Sequence, residues 1–146
     1  MSWVRIWVHI VFSTKNRTPF LQQNIREKVF QHIRKNAKSK DIWLDSVGGY
    51  VDHVHCLVSL NKDQSISKVA QLIKGESSFW INKNKLTEGK FTWQDDYWAA
   101  SVSESHVIQT RSYIQTQESH HRKTSFGEEV DKFLEKHDLI NLSDED

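Results

Sequence analysis

The sequence predicts an α+β fold in which helices pack on an antiparallel sheet. Three observations support this. Residues 3–12 alternate apolar and polar side chains with the period of a strand. Ile25, Val29, Ile33 and Ala37 recur every four residues, as on one side of a helix. Strand-like and helix-like segments then follow one another in the order β-α-β-β-α-β.

The first strand runs from Trp3 to Phe12. Val4, Ile6, Val8, Ile10 and Phe12 form its apolar face. Trp3, Arg5, Trp7 and His9 lie on the other face, which is either covered by a later element or used for binding; His9 itself reads as a satisfied strand histidine. Ser13–Pro19 is a loop with Lys15 and Arg17, cations suited to phosphate. The amphipathic helix spans Gln22–Lys38 and exposes Arg26, Lys28, Arg34, Lys35 and Lys38. A second strand covers Asp41–Val51, where Gly48-Gly49 implies a bend, a bulge or a close backbone approach. A third, apolar strand begins at His53 and ends at Leu60.

Ser65 is placed to cap a second helix that ends near Lys85 and contains Gly75, a position costing about 1 kcal/mol relative to Ala. Phe91–Val102 reads as a fourth strand, bent at Asp95-Asp96. Ser103 is placed to cap a third helix that runs unbroken to His120. Ser125 and Glu128 have capping-box spacing before a short helix with Phe126, Val130, Phe133 and Leu134 as its apolar side. Residues 1–137 form one domain and 138–146 an acidic tail. The element order is that of the ferredoxin-like or RRM-like plan, extended by a tyrosine-bearing helix and a C-terminal helix.

Composition narrows the function classes. The chain has 146 residues, 37% hydrophobic and 27% charged, enough for one real core. The single Cys56 excludes an intrachain disulfide. No apolar run approaches the ~20 residues of a membrane span, and Met1–Arg5 lacks a signal-peptide pattern, so a cytoplasmic protein is expected. The net charge of +1 conceals a division: residues 128–146 hold eight acidic and two basic side chains, leaving a basic body. A basic body with an acidic tail suits a nucleic-acid binder.

The chemistry is concentrated in two places. On the third strand His53 and His55 share a face and aim two imidazoles at one point, an arrangement suited to a metal ion. Asp52 falls on the face opposite His53. On the third helix Tyr113 and Gln117 are four residues apart and point away from the apolar side formed by Val107, Ile108 and Ile114. A tyrosine hydroxyl can act as a covalent nucleophile, and an amide oxygen can complete a metal site.

These residues sit within a longer ordered set: 9–17 (HIVFSTKNR), 52–55 (DHVH), 91–97 (FTWQDDY), 101–103 (SVS), and 113–117 (YIQTQ) leading to 120–123 (HHRK). In that order and spacing the chain resembles the single-tyrosine HUH transposases of small bacterial insertion sequences and their repeat-associated relatives. The likeness covers residues 3–137. Two departures are Asp96-Tyr97-Trp98, where relatives often carry Gly-Tyr-Gly, and Cys56, where a larger aliphatic residue is common. The resemblance implies a divalent ion, Mg²⁺ or Mn²⁺, on His53, His55 and Gln117, and Tyr113 as nucleophile. It implies cleavage and rejoining of single-stranded DNA at hairpins formed by imperfect palindromes, through a 5′-phosphotyrosine, by a homodimer. Phosphate contacts are expected from Lys15, Arg17, Lys74, Arg122 and Lys123.

Three other readings make different demands. A host-adopted relative would process repeat hairpins with the same site. An RRM-like module would stack bases on Trp3 and Trp7 and need no metal. A zinc hydrolase wants a third protein ligand, an open position and a general base, and no carboxylate stands at a telling spacing from the histidines.

Overall fold

The computed structural model describes residues 1–121 and 125–136; Arg122, Lys123 and the 138–146 tail lie outside the described residues. The strands are β1 (Ile6–Ser13), β2 (Trp43–Gly49), β3 (His53–Leu60) and β4 (Trp98–Val102). The helices are α1 (Gln23–Ser39), α2 (Ile66–Lys83), α3 (Val107–Gln115), α4 (Gln117–His121) and α5 (Phe126–Lys136). The four strands form one antiparallel sheet in the order β2-β3-β1-β4, so the two central strands are the most apolar ones.

The alternation of β1 and β3 determines what lies on each side of the sheet. Val8, Ile10 and Phe12 of β1 join Val54, Cys56 and Val58 of β3 in the main core, under Val29 and Ile33 of α1 and Val69 and Ile73 of α2. The opposite face takes the remaining helices. Trp7 and Leu57 pack on Val107 and Ile114 of α3, and Val11 packs on Phe126 and Val130 of α5. The second face of β1 is therefore covered. Trp7 is buried and its indole Nε1 donates to Glu104 Oε2 at 2.6 Å. That removes it as a stacking platform of the RRM kind; Trp3 is exposed but lies before the sheet begins.

Several boundaries move, each for a local reason. β1 starts at Ile6, not Trp3, because its partner strand ends at Leu60, opposite Ile6. Val4 and Ile6 are accordingly exposed. β4 starts at Trp98, not Phe91. Residues before it form a loop held by the Lys74 ammonium, which donates to the carbonyls of Gln94 (2.7 Å), Asp95 (2.8 Å) and Asp96 (3.3 Å). The third helix does not run unbroken to His120. It stops at Thr116 (φ −105°, ψ 21°), whose hydroxyl bonds back to Ser112 O at 2.9 Å, and α4 restarts at Gln117. Arg26 is not on the exposed face of α1: it is buried, donates to Leu21 O at 3.1 Å and lies over the Tyr50 ring.

The glycine pair acts through close approach. The bulge in β2 lies between Leu44 and Ser46, not at the glycines. A Cβ on Gly48 would come 2.2 Å from Ile114 O of α3, and one on Gly49 2.1 Å from His53 O. A side chain is thus excluded at Gly48, where the tyrosine helix rests on β2, and at Gly49, where the strand meets the start of β3. Gly75 is different, since a Cβ there would meet nothing within 4 Å and α2 passes through it uninterrupted. Two of the three expected caps form: Lys68 N–H donates to Ser65 Oγ and Glu128 N–H to Ser125 Oγ, each at 3.2 Å. The Ser103 side chain caps nothing, its hydroxyl lying 2.7 Å from His106 Nδ1 before α3 begins at Val107.

Candidate active site

β3 supplies the two imidazoles. His53 and His55 are both essentially buried, on the face that α3 and α5 cover. Each uses its Nδ1 on a neighbour and turns its Nε2 toward a common centre. His53 Nδ1 lies 2.8 Å from Asp52 Oδ1, and His55 Nδ1 lies 2.8 Å from His9 Nε2. Asp52 thus does not face away from His53. It precedes the first residue of β3, where strand alternation no longer dictates its direction. Orientation of one ring nitrogen by a carboxylate or another acceptor is how ligating histidines are usually held.

Three elements close on the Nε2 atoms. Gln117, at the start of α4, is 1% exposed and places Oε1 3.1 Å from His53 Nε2. Its Nε2 donates to Tyr113 O at 3.2 Å, so the break at Thr116 leaves the two residues tied. Glu129 of α5 places Oε1 2.7 Å from His55 Nε2 and 3.2 Å from His53 Nε2. Its other oxygen accepts the hydroxyl of Tyr113. Phe126, one turn earlier on α5, stacks on the His53 ring with centroids 4.2 Å apart.

The donor set fits a divalent ion. One ligand atom from each of His53, His55 and Glu129 lies within 4.8 Å of the other two, and the Gln117 amide oxygen borders the same point. Imidazole nitrogen and carboxylate oxygen together suit a borderline or hard divalent cation. Glu129 is the residue that strand and helix spacing did not reveal, and it corrects the view that no carboxylate accompanies the histidines. Its trace in the sequence is small: an acid beside the Phe126–Val130–Phe133 stripe, at the edge of a helix's buried side. His9 was likewise legible only as a strand histidine. Register puts Val11 opposite His55, which sets His9 on the same face one pair along.

Electrostatics follow from this packing. Burial is the largest influence on His53 and works against its charge, yet Asp52, Glu129 and Gln117 together outweigh it and raise its pKa. The Tyr113 hydroxyl is held well above the usual phenol range, first by burial and then by the Glu129 hydrogen bond and charge, against a lowering from Gln117. It is therefore a neutral phenol at neutral pH, and attack by its oxygen requires an adjacent proton acceptor. The Cys56 thiol, fully buried on the opposite face, is pushed up to about 12 by burial, with a smaller opposing influence from Arg34.

The expected phosphate contacts divide. Lys15 and Arg17 lie on the loop after β1, and the Arg17 guanidinium stands 5.3 Å over the Phe126 ring, beside the site. Lys74 is occupied by the three loop carbonyls, and burial lowers its pKa, with Asp95 and Asp96 opposing.

Comparison with known proteins gives the chain's family. Residues 2–117 match the family described as Transposase IS200 like. The chain belongs to the IS200-like transposase family. The ISDra2 transposase TnpA of Deinococcus radiodurans is 26% identical over 115 residues, covering 75% of this chain and 81% of that protein. Among solved structures, a putative transposase from the same organism has a TM-score of 0.64 at 22% identity, over 80% of this chain and 93% of that one. A repeat-associated (REP) tyrosine transposase bound to a REP hairpin has a TM-score of 0.62 at 16% identity, over 83% and 72%. These two show the shared fold. As an IS200-like transposase, the chain has its family match end at Gln117, so α5 and Glu129 lie beyond it.

Proposed function

We propose that this transposase cleaves and rejoins single-stranded DNA at hairpin-bearing ends through a covalent Tyr113 intermediate, in a divalent-metal-dependent reaction. The observation that carries the reading is the convergence of the Tyr113 hydroxyl, the Gln117 oxygen and two imidazole nitrogens on Glu129 and its surroundings. A hairpin substrate is favoured by the REP hairpin bound to the structural relative. A homodimer remains part of the proposal.

Tyr113 Oη attacks the scissile phosphorus. A P–O(tyrosine) bond forms as the P–O3′ bond breaks, leaving a 5′-phosphotyrosine and a 3′-oxygen that takes up a proton. Glu129, which already accepts the hydroxyl, is placed to receive the phenol proton. His53, His55 and Glu129, with Gln117 beside them, would hold Mg²⁺ or Mn²⁺, whose chemistry there is Lewis-acid polarisation of a phosphate oxygen. Asp52 and His9 keep the imidazoles oriented. Rejoining is the reverse displacement by a 3′-hydroxyl, and the phosphodiester bond energy is retained in the phosphotyrosine.

The test is a denaturing gel of labelled single-stranded hairpin DNA from the sequence flanking the gene, with protein and Mn²⁺. The native chain should give a slow-migrating protein–DNA adduct, and Tyr113→Phe none. An adduct from the Phe variant would move the nucleophile elsewhere, Tyr97 being the next candidate. The absence of any adduct from the native chain would leave a binding-only protein.

A further inference from the structure

A cavity of about 560 Å³ opens directly beside Tyr113 and Glu129, between α3, the end of β4 and α5. Its size lies within the range of small-molecule sites, ~300–1,000 Å³. Gln109 of α3 lines one side, exposed and one turn before Tyr113. The other side is a single face of α5. Glu129, Lys132, Phe133 and Lys136 stand at spacings of three, four and seven, so they rise along one side of the helix. That face begins with the carboxylate that holds the nucleophile and continues as two exposed cations around a half-buried aromatic ring.

The chemistry of this wall is that of a nucleotide. Lysines meet phosphate, an aromatic ring packs against a base, and an amide reads a base edge. Glu129 does not oppose this, because its oxygens face the hydroxyl and imidazoles rather than the two lysines. Another cleft near the site, between α1, β2 and α4, is about 260 Å³ and does not include Tyr113. We infer that the α3–α5 cavity is a subsite for one unpaired deoxynucleotide next to the phosphate that Tyr113 attacks, with Lys132 and Lys136 on its phosphate and Phe133 and Gln109 on its base. This rests on the reading of Tyr113 as a nucleophile toward single-stranded DNA. It adds that α5, beyond the family's matched residues, selects the nucleotide at the cleavage point.

The probe is the set of four deoxynucleoside 3′,5′-bisphosphates, titrated into the ¹⁵N-labelled full chain and followed by NMR. These compounds hold no internucleotide linkage, so binding is read without cleavage. Shifts should concentrate at Gln109, Lys132 and Phe133. The exposed pair Lys132→Ala/Lys136→Ala should weaken binding by about tenfold or more, and Gln109→Ala should alter the ranking of the four bases while the spectrum stays folded. Shifts centred on Arg26 and Arg34, or an affinity indifferent to the lysine pair, would overturn the subsite. The hairpin adduct assay separates the two ideas. An adduct with no bisphosphate binding here sinks the subsite and leaves the catalytic reading. Bisphosphate binding here with no adduct sinks the catalytic reading and with it the subsite's place at the cleavage point, leaving a nucleotide site of another kind.

Discussion

His53 illustrates how one residue joins folding, protonation and metal binding. Its pKa is raised because Asp52, Glu129 and Gln117 outweigh burial, and its Nε2 faces Glu129 and Gln117, where a metal would sit. Stability from the charged imidazole is fully present below the unfolded value near 6.5 and is lost as pH rises through the raised folded value. A metal needs the neutral ring, so its affinity should climb through the same window. Calorimetric titration of Mn²⁺ into the protein should show tighter binding at about pH 8 than at about pH 6; equal affinities would contradict the site. His53→Ala should remove that binding and DNA cleavage, while circular dichroism still reports the native fold. Glu129→Gln keeps the shape and removes a charge, so Mn²⁺ affinity should fall and the adduct form more slowly; an unchanged rate would free Glu129 of both roles. At this scale the shared face of His53 and His55 was legible because strand alternation acts locally, whereas Tyr113 and Gln117 were grouped with them by the family resemblance. The helix pattern alone set both away from Val107, Ile108 and Ile114, yet Tyr113 packs beside Val107 and Ile114, Gln117 is buried and Ile108 is exposed. Glu129 was not legible, because only the docking of α5 brings it 74 residues back to His55.

Two glycines on different elements make opposite predictions. Gly48 lies under α3, with Ile114 O where a Cβ would be. Gly48→Ala must push α3 off β2 and carry Tyr113 and Gln117 with it. Thermal stability should drop, and the adduct should be lost to a greater degree than folding. The bidentate pair of Arg111 on Asp45, at 2.8 Å for both contacts, holds the same helix to the β2 bulge and cannot follow such a shift unbroken. Gly75 lies within α2 with open space around it, so Gly75→Ala should stabilise by about 0.4–1 kcal/mol. A denaturant midpoint that rises for Gly75→Ala and falls for Gly48→Ala is the expected pair of results; the reverse order would mean that the α3 contact does not matter. The sequence marked both positions without telling them apart, since the difference lies in what packs above each. The same holds for Phe91–Tyr97, whose aromatic residues read as strand. Phe91 and Trp93 are indeed buried, but the carbonyls beyond them turn toward Lys74 instead of a partner strand.

Across the whole molecule the division of charge reads as a binding surface. The succession of elements was legible because strand alternation and helix stripes mark each one, and the antiparallel sheet followed from the plan which that succession matches. What covers the second face was not, because α3 and α5 are amphipathic either way. With that face closed, Lys15, Arg17, Lys28, Arg34, Lys35 and Lys38 are exposed on the loop after β1 and the outer side of α1, and these are the expected phosphate contacts of the proposed function. Each phosphate neutralised on a single strand contributes about −0.7 to the slope of log affinity against log salt. Affinity for a single-stranded hairpin should therefore fall steeply between low and physiological salt. Lys15→Ala should weaken hairpin and unstructured strands alike and flatten that slope by about one contact, since phosphate contacts position without specifying. Lys74→Ala should leave the slope unchanged, because its ammonium is engaged by the Gln94, Asp95 and Asp96 carbonyls, and should instead lower thermal stability by releasing that loop. Fluorescence anisotropy of a labelled hairpin, titrated at several salt concentrations with both variants, measures all of this at once. A slope that falls for Lys74→Ala and holds for Lys15→Ala would place the DNA on the α2 side of the molecule, away from Tyr113.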